Sequence, residues 1–512
     1  MKRFLQQLGR LNPGPDDRRW LYVPYDQLSR HMGPLSRESP RELAVILIEN
    51  PAKAARRPYH RQKLAWILCH QRQFALELAQ SGIHVDYRVG EYRTVLQQPR
   101  PGGVRMMEAA EWELRHELEG LPQLDILPHE GWLTRPEQFM AGSSASGEWR
   151  MDRFYRRVRQ DTGILMQRGK PVGGKYSFDH DNRQPWKGQP AAPLPPRYPR
   201  DELRLEVEEL IEQRYSHHPG HLDTTSIPLS QNEIEHFWAW VKAQCLPWFG
   251  PFEDAMSQAS SGLFHSRLSP LLNLHRLLPR RVVDEVVQLE LPLAGQEGFI
   301  RQILGWREFV HHLHHHTQGF RTLPGNLLNA HQSLFPAYWG RPSGLNCLDS
   351  VVADVWREGW SHHITRLMVL SNLATLLDVN PAELNHWFWV AYIDAFDWVV
   401  EPNVLGMGTY SLGPLMTTKP YVSGAAYLDR MSDYCSACVF HPKKNCPITP
   451  LYWAFLERHR EHFLHNPRMA VVMRSLQRRP DEQKKRDRQT FEAVSRSLSQ
   501  GHPLSPVVEP SE

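Results

Sequence analysis

Three cysteines in the run YCSACVFHPKKNCP (Cys435, Cys438 and Cys446) and a fourth far upstream at Cys347 constrain this chain more than any other feature. The run is C-x2-C-x7-C with Pro447 directly after it. Four thiolates saturate a tetrahedral metal ion or a 4Fe–4S cluster, and a ligand set split this way ties two distant stretches of one domain together. Spacing does not separate zinc from iron–sulfur, and a C-x2-C pair also occurs as a redox dithiol or by chance. The Cys-Pro ending leans to iron–sulfur, because ferredoxin-type sites end in the same way. Cys69 and Cys245 stand singly in apolar runs and read as buried free thiols.

A chain of 512 residues has room for two to four domains, and 41% hydrophobic with 23% charged residues is a globular composition. The net charge of +4 requires no polyanionic partner by itself. There are 17 Trp and 27 His, which a large aromatic core explains and a chromophore-binding, electron-hopping protein explains as well. The first residues carry no apolar run of signal-peptide length, and no stretch approaches ~18 uninterrupted apolar residues. The expectation is a cytoplasmic, monomeric protein without a membrane span, its thiols kept reduced.

Residues 1–18 read as a polar extension. From 19 to 145 strands alternate with helices: RRWLYVPY, ELAVILIE, IHVDYRV, VRMMEA and QLDILPH have strand character, and RQKLAWILCHQRQFALELAQSG has apolar residues at helical spacing. That alternation predicts a parallel α/β sheet. Residues 146–235, rich in Gly and Pro, read as an interdomain linker. From 236 to 477 wide apolar stripes predict an all-helical domain, and 478–512 reads as a charged, partly disordered tail.

Within the helical part, FHSRLSP places Ser266, Arg267, Leu268 and Ser269 at a helix start, where backbone N–H groups and hydroxyls bind phosphate; an ordinary serine N-cap is the plainer reading. GWREF offers Arg307 between aromatics. Arg366 in HHITRLM and Asp394 in IDAFDW are natural partners for a buried bidentate ion pair.

The ordered set FHSRLSP, GWREF, HHITRLM and IDAFDW resembles the FAD-binding half of the photolyase/cryptochrome superfamily. GKPVGGKYSFDHDNRQPW, VVEPNVLGM, TKPYVSGAAYLDRMSDYCSAC and CPITPLYW narrow the resemblance to the iron–sulfur bacterial cryptochromes and photolyases, the prokaryotic (6-4) photolyase subfamily, over roughly residues 19–475. PYDQLS is similar to the family's first-strand turn. The resemblance implies an α/β antenna domain linked to an all-α FAD domain. It implies FAD at Ser266, Arg267, Leu268, Ser269, Arg307, His363, Arg366 and Asp394, and a 4Fe–4S cluster at the four cysteines. It also implies a 6,7-dimethyl-8-ribityllumazine antenna at Asp26, Gln27, Glu49 and Lys63.

The implied activity is light-driven repair of (6-4) photoproducts in UV-damaged DNA, with a blue-light photoreceptor lacking repair as the alternative. The lesion leaves the duplex stack to reach the flavin. His363 and His362, whose type titrates near neutrality, are the implied proton-transfer residues, with Tyr421 on the substrate side. Trp387 and Trp339 are the implied electron relay, although most tryptophans are simply core. The basic run Arg150 to Arg159 is expected to face DNA phosphates. Asp179, Asp181 and Asp254 are candidate ligands for a divalent cation near DNA, although solvated carboxylates are the plainer reading. Six residues after Asp394, where the family often sets a polar group near flavin N5, stands Val400, followed by Glu401.

Overall fold

The run LAVILIE, six apolar residues closed by Glu49 and all buried, forms an interior strand of a sheet covered on both faces. The computed structural model describes residues 1–506 apart from 16, 143–147 and 324. Its sheet has five parallel strands, β1 (Arg19–Tyr22), β2 (Leu43–Glu49), β3 (His84–Val89), β4 (Val104–Met107) and β5 (Leu124–Leu127), in the order β3-β2-β1-β4-β5. Register places Val45 between Leu21 and Val85. The strand order reverses at β1, and in such sheets the crevice beyond the carboxyl ends of the strands is where ligands lodge.

Helix α1 (Lys2–Leu11) occupies the stretch expected as a polar extension. Phe4 and Leu8, one turn apart, are its buried face, and Glu206 accepts the N–H groups of Arg3 and Phe4, each at 3.0 Å. A two-residue apolar stripe closed by a remote cap gives a short sequence too little local signal to be read. Helix α2 (Arg61–Gln80) lies almost wholly buried beside the sheet, its Arg72 bonded to both oxygens of Glu49.

The Gly- and Pro-rich stretch 146–235 contains two substantial helices, α3 (Met151–Thr162) and α4 (Glu202–Tyr215). Met151, Phe154, Tyr155 and Val158 bury one side of α3. Beyond it the fold is helical: α5 (Leu293–Ile300), α6 (Glu308–His316), α7 (Asn346–Glu358), α8 (Pro381–Ala391) and α9 (Ile448–Arg458). A wide-turn π segment, Arg301–Arg307, joins α5 to α6, and another covers Thr365–Ser371. Such turns rotate side chains off the α-helical stripe and recur at functional sites.

The C-terminal stretch is not a disordered tail up to residue 506. Asp481–Ser499 forms α10, packed on α9, with Arg458 lying 3.6 Å over the Phe491 ring and Arg479 paired with Asp487. Acidic residues in its first turn and a stripe of Phe491, Val494 and Leu498 explain the helix; the surrounding charge conceals that stripe in the sequence. Among the described residues no helix is long and apolar enough to cross a membrane.

Candidate functional site

Asp394, buried just beyond α8, receives both terminal nitrogens of Arg366, at 3.0 and 2.9 Å, and the hydroxyl of Ser269 at 2.6 Å. Asn273 donates to its backbone carbonyl at 2.9 Å, and the Trp360 indole donates to Ser269 Oγ at 3.3 Å. Burial works against the Arg366 charge, but Asp394 and then Tyr392, whose ring lies 4.0 Å beneath the guanidinium, raise its pKa above the usual value. The FHSRLSP turn therefore contributes Ser269 directly. Arg267, in the left-handed region at φ +54°, turns to Glu358 at 2.7 Å and lies 4.4 Å over Trp360, with half-buried Ser266 and buried Leu268 on either side.

Arg307 does not join this group. It is buried 4.2 Å over Trp132 and 5.2 Å over Trp398, and it bonds to Glu308 and to the carbonyl of Leu272. The wide turn before α6 aims it toward the Trp132–His311 stack, whose rings are 3.5 Å apart, rather than toward Asp394. Burial pulls its pKa down to about 10. Val400 is buried, and the Glu401 carboxylate is taken by His314 and Arg321.

His362 stacks on His265 at 4.4 Å with the planes 6° apart, and His363 meets His265 edge-on at 5.3 Å. His362 Nδ1 and His265 Nε2 are buried without a hydrogen-bond partner among the described residues. Burial, then His363 and Arg366, drives the His362 pKa far below the usual value. His363 is exposed, yet the surrounding protein and then Arg366 hold it down to about 4. The expectation of a near-neutral histidine is thus corrected: both imidazoles are uncharged at neutral pH. Burial likewise raises the Tyr421 pKa, with the charge of Asp179 adding to it and those of Arg183 and Arg301 opposing. Asp179 and Arg301 also act on His363, so one ion-pair network serves both residues.

That network takes up two of the carboxylates considered for a divalent cation. Asp179 binds Arg183 and, at 3.0 Å, Arg301, while Asp254 faces the same Arg183 at 3.5 Å. The guanidinium of Arg183 stands where a cation between the two carboxylates would sit, and Asp181 lies apart, beside His180. In the basic run, Arg159 is buried and spent on the carbonyls of Ile164, Leu165 and Tyr176, and Arg150 also bonds carbonyls. Arg157 pairs with Asp161, leaving Arg153 and Arg156 as the outward charges of α3.

Trp387 is fully buried 6.0 Å from Tyr392, and Trp339 is 44% exposed. Sequence reasoning named both and missed the residue between them. Trp356, on α7, lies 6.0 Å from Trp387 at 88° and 5.6 Å from Trp339 at 21°. A continuous aromatic path thus runs from the Arg366–Tyr392 contact to solvent. No motif distinguishes Trp356 among 17 tryptophans; only its placement does.

Two cavities complete the picture. The first, about 750 Å³ counting its open mouth, sits at the carboxyl ends of β1 and β2 and is lined by Tyr25, Ile48, Glu49, Lys53, Lys63, Glu111 and Trp389 among others. Lys63 donates to the carbonyls of Trp389 and Ala395, and burial lowers its pKa to about 7. Glu49 is held by Arg72 and by the Tyr87 hydroxyl at 2.9 Å. Lys53 and Glu111, paired with each other, are lining charges that sequence reading overlooked. Asp26 and Gln27 are not among the lining residues. The Asp26 backbone carbonyl accepts from His275, Gln27 donates to the carbonyl of Glu108, and burial with Glu111 raises the Asp26 carboxyl to about 7.

The second cavity, about 300 Å³, is lined by Cys347, Cys435, Cys438 and Cys446 together with Leu345, Tyr434 and Phe440. All six cysteines are unpaired. Burial, then the neighbouring thiols, pushes Cys347 far up, and burial, then Asp429 and two of the thiols, raises Cys435 to about 12. Cys347, Cys435 and Cys446, crowded into one pocket, resist ionisation, which is the electrostatic problem a bound polycation resolves.

The comparisons with known proteins agree with this layout. The family described as deoxyribodipyrimidine photo-lyase-related protein matches residues 21–226, and the FAD binding domain of DNA photolyase matches 299–422. A (6-4) photolyase of Agrobacterium fabrum is 32% identical over 470 residues, 87% of this chain and 92% of that protein. The chain belongs to the photolyase-related family. Two solved structures share the fold at 14% identity, each covering 94% of this chain and 99% of the other. They are a bacterial class III photolyase from Agrobacterium tumefaciens (TM-score 0.57) and a Synechocystis cryptochrome (TM-score 0.55). The family's FAD fits the residues present: a fixed carboxylate–guanidinium pair, a hydroxyl, the aromatic walls Trp360 and Tyr392, and buried imidazole nitrogens without partners among the described residues.

Proposed function

We propose that this chain is a light-driven DNA lyase that repairs (6-4) photoproducts. The observation that carries the reading is the placement of the His265–His362–His363 group, whose His362 and His363 feel the charge of Arg366, the partner of Asp394. The 32% identity to a (6-4) photolyase supports the lesion type. FAD, held at Asp394, Arg366 and Ser269, would supply the light-driven one-electron chemistry. Arg366 and Asp394 set a fixed charge pair beside it that needs no reorganisation during electron movement. His363, uncharged and exposed, holds or accepts a proton at an imidazole nitrogen next to an extruded base, and Tyr421 feels the same Asp179 and Arg301 charges. Trp387 gives up an electron inward, Trp356 refills Trp387, and Trp339 refills Trp356. Trp339, wet on one side, then loses a proton to water and is restored by an external thiol.

Two further groups are proposed. The cavity at the strand ends suits a flat antenna pigment of the lumazine type, supported by its aromatic walls and its place at the strand crevice. The cysteine cavity suits a 4Fe–4S cluster. The support is that all four thiols line one cavity and that the last of them is followed directly by Pro447.

The deciding experiment illuminates the flavin-reduced protein with an oligonucleotide carrying one (6-4) lesion and follows recovery of intact thymines. No recovery despite full flavin reduction would reject repair. The same assay separates repair from the receptor reading.

A further inference from the structure

The middle tryptophan of the relay has a second stacked neighbour. His60, the N-cap of α2, lies parallel to Trp356, ring centroids 5.8 Å apart and planes 9° apart, on a residue that also stacks with Trp339. It comes from the α/β half of the molecule, yet its backbone N–H bonds to the carbonyl of Val390 on α8, the helix that carries Trp387.

Its ring is fully fixed. Nδ1 accepts the backbone N–H of Gln62 at 3.0 Å and therefore carries no proton. Nε2 then bears the hydrogen and faces the carbonyl of Trp356 at 3.2 Å. The side chain is buried, and a Cβ on Gly220 would lie 2.1 Å from Nε2, so the slot admits this ring only because glycine stands there. Protonating Nδ1 would set two hydrogens against each other at the helix cap. Burial also lowers the imidazole pKa to about 4.

We infer that His60 is a positioning residue of the electron relay: it clamps the Trp356 ring between the Trp387 and Trp339 rings and presents an uncharged face to it. A tryptophan that passes an electron inward is transiently positive. A cationic neighbour would oppose that charge, whereas a neutral aromatic face in contact favours it. Removing the ring frees Trp356 to leave the stacked geometry on which rapid transfer depends. The inference rests on the relay reading above.

Two substitutions separate the ring from the cap. His60→Asn keeps a good N-cap acceptor but has no ring. His60→Phe keeps a ring and loses the acceptor. In the flavin-loaded protein, His60→Asn is expected to melt near the wild-type temperature while blue-light flavin reduction, followed with the transient tryptophanyl absorbance, slows about three- to tenfold. His60→Phe is expected to melt lower and to photoreduce near the wild-type rate. Wild-type photoreduction in His60→Asn, or equal loss of rate in His60→Phe, overturns the inference; should the Asn variant not fold, the Phe variant decides. Trp356→Phe is the control. If it photoreduces normally, the relay reading itself fails, whatever the His60 variants do.

Discussion

Trp356 and Trp387 donate their indole N–H groups to the same oxygen, the backbone carbonyl of Tyr338, each at 2.9 Å. One acceptor thus pins the edges of two tryptophans that come from different helices. A carbonyl holds an N–H but cannot take its proton, so either indole can lose and regain an electron without losing its hydrogen. Only Trp339, at the surface, has water to receive one. Trp387→Phe should therefore abolish flavin photoreduction, and Trp339→Phe should shorten the lifetime of the charge-separated state while leaving the first step intact. Repair started with chemically reduced flavin should proceed in both variants. Photoreduction surviving in Trp387→Phe would show that electrons enter by another route.

The Arg366–Asp394 pair makes a stability prediction with an unusual sign structure. Asp394→Ala leaves a buried guanidinium without its carboxylate, which costs about 3–5 kcal/mol. Replacing both members with apolar residues of similar volume should restore much of that stability, because paired burial is itself costly. Flavin content should be lost in both proteins. Urea unfolding with flavin quantitation checks this, and a double variant no more stable than Asp394→Ala would contradict it.

His363→Ala should eliminate repair and spare photoreduction, because His363 is the residue proposed to meet the lesion while the aromatic path runs past Tyr392. Titration offers a second handle. In the DNA-free protein the imidazole is held at about 4, and the phosphates of bound DNA, as added negative charge, should raise it. A repair rate unchanged by His363→Ala would remove its assigned role.

Stability should fall on mild acidification. Twelve histidines have pKa values lowered chiefly by burial. Six carboxyls are raised, also chiefly by burial. Above pH ~6.5 these histidines are neutral whether folded or not. As pH drops toward 4 the unfolded chain takes up protons that the folded one refuses; each fully buried group among them removes up to about 1.4 kcal/mol per pH unit, and the partly exposed His218 and His386 contribute less. The raised carboxyls act oppositely in the same window, because there the folded state holds the extra proton. With twelve against six, the histidines win, and the urea midpoint should decline steadily from pH 6.5 to 5. A flat midpoint would refute the balance.

What could be read from the chain, and what could not, follows from the range of the forces involved. The five strands announce themselves because LAVILIE and its neighbours are short apolar runs bounded by turns, a local pattern. Asp394 and Arg366 were legible as partners because opposite charges in apolar helices must find each other. Trp356 and His60 were not, since their roles arise from contacts between residues 296 positions apart. The helix at 481–499 hid behind its charge, and Arg307 was misplaced because a wide helical turn redirects a side chain that regular periodicity would have aimed elsewhere.

The cysteine cavity yields the last prediction. Cys347 begins α7, the helix that carries Trp356 nine residues on, and the other three thiols come from the loops before α9. Whatever fills the cavity therefore staples α7 to the C-terminal helices, and its binding energy is folding energy. Cys438→Ala should lose iron and sulfide together and should lower the yield of folded protein. Because α7 also holds the relay, flavin photoreduction should slow even in the fraction that folds. Iron and acid-labile sulfide in equal amounts, about four of each per chain, mark the cluster; stoichiometric zinc without sulfide, or a Cys438→Ala protein that folds and photoreduces normally, would refute it.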